Sequence, residues 1–245
     1  MPLFTSESKA FQTQDGYGFS GVGVDSLGAT EYTLVQVIAD ISGSVGGFRQ
    51  GIEDCIKAVV EACRKSPRAD NLMLRVVLFN TTLSELHGFK PLDQCNPDDY
   101  NGTIHPSGGT ALFDASYNGV EATVKYGKAL FDQDFDTNAI VFVITDGDDN
   151  SSKMGAAAVK KVTQDAIATE SLESLRSVLV GVNVTNQYIR DYLSRFETDG
   201  GFDQYIELDN ASAGTLAKLA DFISRSISSQ SQALGTGGPS QSLTF

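Results

Sequence analysis

No run of apolar residues in this 245-residue chain approaches the ~18–20 needed to span a bilayer. Cysteine is scarce: Cys55, Cys63 and Cys95 are the only three, and none forms a C-x-x-C pair. That removes zinc-ribbon and thioredoxin-type readings. Positive charge is also short, with 18 Lys and Arg against 31 Asp and Glu, a net charge of −13 and a pI near 4.5. Such a surface repels phosphate backbones and anionic lipid, so neither nucleic acid nor membrane is an expected partner. It suits cations and basic partners. Histidine is limited to His87 and His105, and the sequence pairs neither with a serine and an aspartate as a Ser-His-Asp triad. A Walker lysine motif is missing as well. Residues 1–10 lack a basic stretch followed by an apolar one, so no signal peptide is read and a cytoplasmic location is expected. In that compartment the sequons at Asn80, Asn101, Asn150 and Asn183 carry no weight.

What remains is ordinary for a globular protein: 41% hydrophobic and 20% charged residues. The length suggests one large domain with extensions. Residues 1–30, rich in Gly, Ser and Thr, read as an N-terminal extension with a short strand near Gly21–Val24. Residues 31–227 read as the domain, and the uncharged Ser/Gln/Gly-rich stretch 228–245 as a flexible C-terminal tail.

Within the domain, apolar β-branched runs alternate with helical spacing. Tyr32–Asp40 reads as a buried strand. Residues 47–65 carry a helical stripe through Phe48, Ile52, Ile56, Val59, Val60 and Cys63. Leu72–Phe79 and Leu83–Phe89 are strands at hairpin spacing, which predicts an antiparallel third strand at a sheet edge. A helix begins near Thr110, followed by a strand at Asn138–Thr145 and a helix over 153–171. Then come Ser177–Val182 (strand), Gln187–Phe196 (helix), Tyr205–Leu208 (strand) and a helix through Leu216 to Ile227. This alternation predicts an α/β fold: a Rossmann-like, doubly wound, mostly parallel six-stranded sheet with helices on both faces and one antiparallel edge strand.

Candidate chemistry lies where strands leave the sheet. Asp40, Ser42 and Ser44 stand at i, i+2 and i+4 after the first strand. Alternate residues of an extended segment point the same way, so three hard oxygen donors can converge. That donor type suits Mg²⁺. Thr145-Asp146-Gly147 ends another central strand, and Ser107-Gly108-Gly109-Thr110 places a hydroxyl at a helix start. With strand order 3-2-1-4-5-6, Asp40 and Asp146 share the crevice where connectivity reverses, with Thr110 above them.

Asp40-x-Ser42-x-Ser44, Gly-Gly-Thr110 and Thr-Asp146-Gly together resemble the von Willebrand factor A domain with its metal-ion-dependent adhesion site, over roughly residues 31–227. The resemblance implies direct coordination of Mg²⁺ by Ser42 and Ser44. It implies that Thr110, Asp40 and Asp146 act directly or through water, according to conformational state. One coordination position is left for an Asp or Glu carboxylate of a protein partner. Mn²⁺ or Ca²⁺ are possible substitutes. An intracellular bacterial-type relative of this kind works beside an AAA+ ATPase or in a stress or tellurite-resistance system.

Competing readings are weaker. An Asp-x-Ser-x-Ser run alone is consistent with helix capping and turn chemistry. An EF-hand starting at Asp146 fails, because its sixth position is Ser151 and its twelfth Ala157. Gly16-Tyr-Gly18-Phe-Ser-Gly21 has no preceding strand and no following helix, so it is not a dinucleotide fingerprint. Without an evident nucleophile or acid/base pair, a non-enzymatic binding module is expected. The alternatives are a metal-dependent hydrolase or phosphoryl-transfer enzyme, and an assembly protein in which the metal is a staple.

Overall fold

The computed structural model describes residues 8–168, 171–237 and 243–245. It is a mixed α/β protein built on one sheet of eight strands, in spatial order β1-β2-β5-β4-β3-β6-β7-β8. The strands are β1 (Ser8–Phe11), β2 (Phe19–Val22), β3 (Glu31–Asp40), β4 (Leu72–Phe79), β5 (Leu83–Pro91), β6 (Asp136–Thr145), β7 (Leu175–Val182) and β8 (Gln204–Leu208). Among the described residues five α-helices join them: α1 (Arg49–Arg64), α2 (Leu112–Phe131), α3 (Ala156–Ala168), α4 (Gln187–Gly200) and α5 (Ala213–Thr236).

Strands β4, β3, β6, β7 and β8 run parallel, and β5 is antiparallel to β4. The expected six-strand order is thus present, but the sheet is wider than expected. β1 and β2 form an antiparallel pair, and β2 lies alongside β5. β5 is therefore an interior strand, not an edge. The short strand expected near Gly21–Val24 is present two residues earlier as β2, whereas β1 carries too little alternation to read as a strand from sequence.

Two apolar layers cover the sheet. One joins Val35, Val37 and Ala39 of β3 to the stripes of α1 and α5; the other joins Leu34 and Ile38 to α2, α3 and α4. The side-chain period of two sends alternate β3 residues to opposite layers. α2 lies close against the sheet at Gly119, where a Cβ would stand 2.2 Å from Ile38 Cδ1. No helix among the described residues is long and apolar enough to cross a membrane.

A buried polar cluster crosses the sheet. Arg75 on β4, 1% exposed, donates to Glu85 (2.6 Å), Gln36 (2.9 Å) and Asn118 (3.0 Å). Glu85 also accepts from the backbone N–H and the hydroxyl of Ser20. One guanidinium–carboxylate pair therefore links β2, β5, β4, β3 and α2. His87, also on β5, is buried, with its Nε2 2.8 Å from the Tyr100 hydroxyl.

The last helix corrects the reading of residues 228–245 as a flexible tail. α5 continues to Thr236, and Gln230 and Ser231 are buried. Gln230 donates to the Ala139 carbonyl and to Ser174, while its own carbonyl accepts from Asn138. Polar composition concealed a helix whose amides complete the bottom of the sheet. The helix expected over 153–171 is shorter, Ala156–Ala168, and part of the expected span lies outside the described residues.

Candidate metal centre

The two innermost parallel strands, β3 and β6, end side by side, with Ala39 paired to Ile144. Asp40 and Thr145 follow at their carboxyl ends and are both buried. The Thr145 hydroxyl donates to Asp40 Oδ2 at 2.7 Å, and the Ser42 backbone N–H donates to Oδ1 at 2.7 Å. From there the polar chain runs outward. Ser42 Oγ is 3.0 Å from Ser44 Oγ, and Ser44 Oγ donates to Asp146 Oδ1 at 2.8 Å. Four of the five residues singled out in sequence are thus joined in one hydrogen-bonded string.

Thr110, the fifth, is buried on the loop that covers this string. Backbone bonds pin that loop down: Gly43 N to the Gly108 carbonyl (3.2 Å) and Ser107 N to the Ile41 carbonyl (2.9 Å). Thr110 is clamped from its other side by Asn150, which accepts from Thr110 N through its side chain and donates its own N–H to the Thr110 carbonyl. Gly108 makes the approach possible: its φ is +73°, and a Cβ there would lie 2.6 Å from Thr81 Oγ1. His105, in the same loop, is exposed.

Burial raises the Asp40 carboxyl to about 6 despite the bonds from Thr145 and Ser42 that oppose the shift; the neighbouring Asp146 adds to it. Asp146 is raised by burial too, against the Ser44 bond. No cationic side chain is among the groups acting on either carboxylate. Two desolvated carboxylates without a side-chain counter-ion form a site of negative potential.

The donor set fits a hard divalent cation: two carboxylates and three hydroxyls, all oxygen. With ~2.0–2.1 Å bonds, neighbouring donors of an octahedron lie about 2.9 Å apart. The Ser42–Ser44 and Ser44–Asp146 oxygens are separated by 3.0 and 2.8 Å. No group of three or more His, Cys, Asp or Glu converges among the described residues, so beyond the two carboxylates any such shell would draw on hydroxyls and water.

Four supporting residues were given no role at the site by the sequence reading. Thr145, beside Asp146, orients the Asp40 carboxylate; its signal was a hydroxyl at the strand end. Asn150 holds Thr110, and nothing in a polar loop marked it. Asp149 accepts from the Phe113 N–H and from Ser152, while Asp114 accepts from the N–H groups of Lys153 and Met154. These bonds staple the loop after Asp146 to the start of α2.

No protein-family model matches the chain, and no curated protein does. Among solved structures it is similar to the PilB minor pilin from Streptococcus sanguinis, at 15% identity and a TM-score of 0.60, over 89% of this chain and 66% of that one. It is also similar to the pilus adhesin SpaC from Lactobacillus rhamnosus GG, at 10% identity and a TM-score of 0.58, over 91% of this chain and 34% of that one. A third is proximal thread matrix protein 1 from the mussel byssus, at 16% identity and a TM-score of 0.51, over 82% of this chain and 47% of that one. The chain spans less than two thirds of each of these proteins. At such identities the likeness is one of fold.

Proposed function

We propose that the chain is a non-enzymatic binding module of the von Willebrand factor A type, Rossmann-like and doubly wound. In this reading Asp40, Ser42, Ser44, Thr110 and Asp146 hold Mg²⁺, and a protein partner supplies a carboxylate. The observation that carries it is the Asp40–Ser42–Ser44–Asp146 string, which runs from the buried Asp40 and Ser42 out to the exposed Ser44 and half-buried Asp146, with two desolvated carboxylates and no side-chain cation acting on them. The bound ion supplies Lewis acidity toward the incoming Asp or Glu. The chain's part is to hold the hydroxyls in place. Because only two carboxylates face the ion, their charges sum to zero with it, and an anionic partner is not repelled. The three cysteines are buried and free, which suits the reducing cytoplasm as the compartment of this reading.

Titration calorimetry tests it, with Mg²⁺ and Mn²⁺ added to the wild type, Asp40→Ala and Asp146→Ala, with and without a glutamate-bearing peptide. Binding by the wild type alone, strengthened by the peptide and without turnover of model phosphoesters, is the expected result. A wild type that binds neither ion overturns the proposal.

A further inference from the structure

Beside the metal centre, α2 and α4 enclose a cleft of about 260 Å³. Four aromatic rings form its walls: Phe113, Tyr188, Tyr192 and Phe196. Phe113 and Tyr192 are near-parallel, 16° apart, with centroids at 6.4 Å; Tyr188 follows at 6.2 Å from Tyr192. Tyr188 is 56% exposed, unusual for a ring of this size. The cleft shares its rim with the metal-site loop. The Tyr188 hydroxyl donates to Asp148 at 3.2 Å, and the Tyr192 hydroxyl accepts from the Asp149 N–H at 3.3 Å. Asp148 is two residues beyond Asp146, so their Cα atoms lie at most about 7 Å apart.

The charge around these rings is negative. Asp199 lines the cleft and Asp148 caps it, against one cation, Arg195, whose Nε is engaged by the Asp191 carbonyl. Ring faces and carboxylates together favour a cation over an apolar or an anionic group. Guanidinium, being planar, stacks on such rings as well as pairing with carboxylate.

We infer that this cleft seats an arginine or lysine side chain of the same partner segment whose carboxylate reaches the metal. The inference rests on the metal-site reading for the partner's orientation. The recognised motif is then an acidic residue followed, roughly three extended residues away, by a basic one.

Three acetylated, amidated peptides test this against the full chain in Mg²⁺, followed by NMR: Glu-Gly-Gly-Arg, Glu-Gly-Gly-norleucine and Gly-Gly-Arg. The arginine peptide is expected to bind about three- to fivefold tighter than the norleucine peptide, as a cation over exposed rings allows. Tyr188→Ala and Asp199→Asn should each erase that preference without changing Mg²⁺ binding. Arg195→Gln should enlarge it. Equal or tighter binding of norleucine overturns the inference in favour of an apolar occupant. Weaker binding by Arg195→Gln overturns it in favour of an anionic one. Gly-Gly-Arg in EDTA reads the cleft without the ion. Shifts at residues 188–199 there, with no response of residues 40–44 to Mg²⁺ or glutamate, would defeat the metal reading and spare the cleft. The reverse pattern would defeat the cleft alone.

Discussion

Glu85→Ala removes the one carboxylate, among the described residues, that pairs directly with a guanidinium that is 1% exposed; Asp15 acts on it only from further off. Gln36 and Asn118 still accept from Arg75, but both are neutral. Breaking a buried ion pair by deleting one partner costs about 3–5 kcal/mol. A chain of this length moves ~2–4 °C in Tm per kcal/mol, so a fall of roughly 6–20 °C is expected. The sharper statement concerns the second substitution. In the wild type, Arg75→Met should destabilise, because Glu85, Gln36 and Asn118 lose their donor. In the Glu85→Ala background it should be neutral or stabilising, because it removes an uncompensated buried charge. Urea unfolding of the four proteins of this double-mutant cycle gives the coupling directly. If Arg75→Met costs the same in both backgrounds, the pair is not a unit and the reasoning is wrong.

Three further outcomes follow from other sites. Burial pushes His87 down to about 3, so the unfolded chain takes up this proton first as pH falls. Stability from His87 is full above ~6.5 and declines below it, by about 2 kcal/mol between pH 7.5 and 5. His87→Gln should lose correspondingly less over that range in urea titrations; parallel pH profiles would contradict this. Asp40 has the opposite sign: its carboxyl is held above the unfolded value, so ionisation costs folded-state stability at neutral pH. Asp40→Asn should raise metal-free stability by ~1–3 kcal/mol and abolish any rise in Tm on adding Mg²⁺; a less stable metal-free variant would refute that. Truncation after Ile227 should lower Tm by at least 5 °C, at ~2–4 °C per kcal/mol, because Gln230 and Ser231 are buried against the sheet. An unchanged Tm would mean the extra turns of α5 contribute nothing.

The central strands and the string of site residues were legible because both rest on local pattern. β-branched runs such as Asn138–Thr145 read as buried strands, and hydroxyls at alternate positions after Asp40 announce convergence. The elements that escaped are those whose partners lie far away in sequence. β1, and the docking of β1 and β2 as strands of the main sheet, depend on β5 and on Glu85, more than sixty positions on; only an isolated short strand near Gly21–Val24 was readable locally. The final turns of α5 look like linker until Gln230 meets Ala139. Asn150 resembles any loop asparagine until Thr110 is set against it. A buried side-chain amide carries no periodic signature, since its role is defined by the backbone group it satisfies.

The position of β1 and β2 has a bearing on how the protein is made. These strands leave the ribosome early, yet they dock on β5 and beneath Tyr126 of α2. Completing α2 takes roughly 110 residues of synthesis beyond β2, or about 5–20 s at ordinary elongation rates. Until Phe89 and then Tyr126 emerge, Phe19 and Phe11 lack the ring partners they later acquire there. β1 and β2 thus precede the elements that hold them by a long stretch of synthesis, and nascent chains should engage holdase chaperones through residues 8–22 until α2 has emerged.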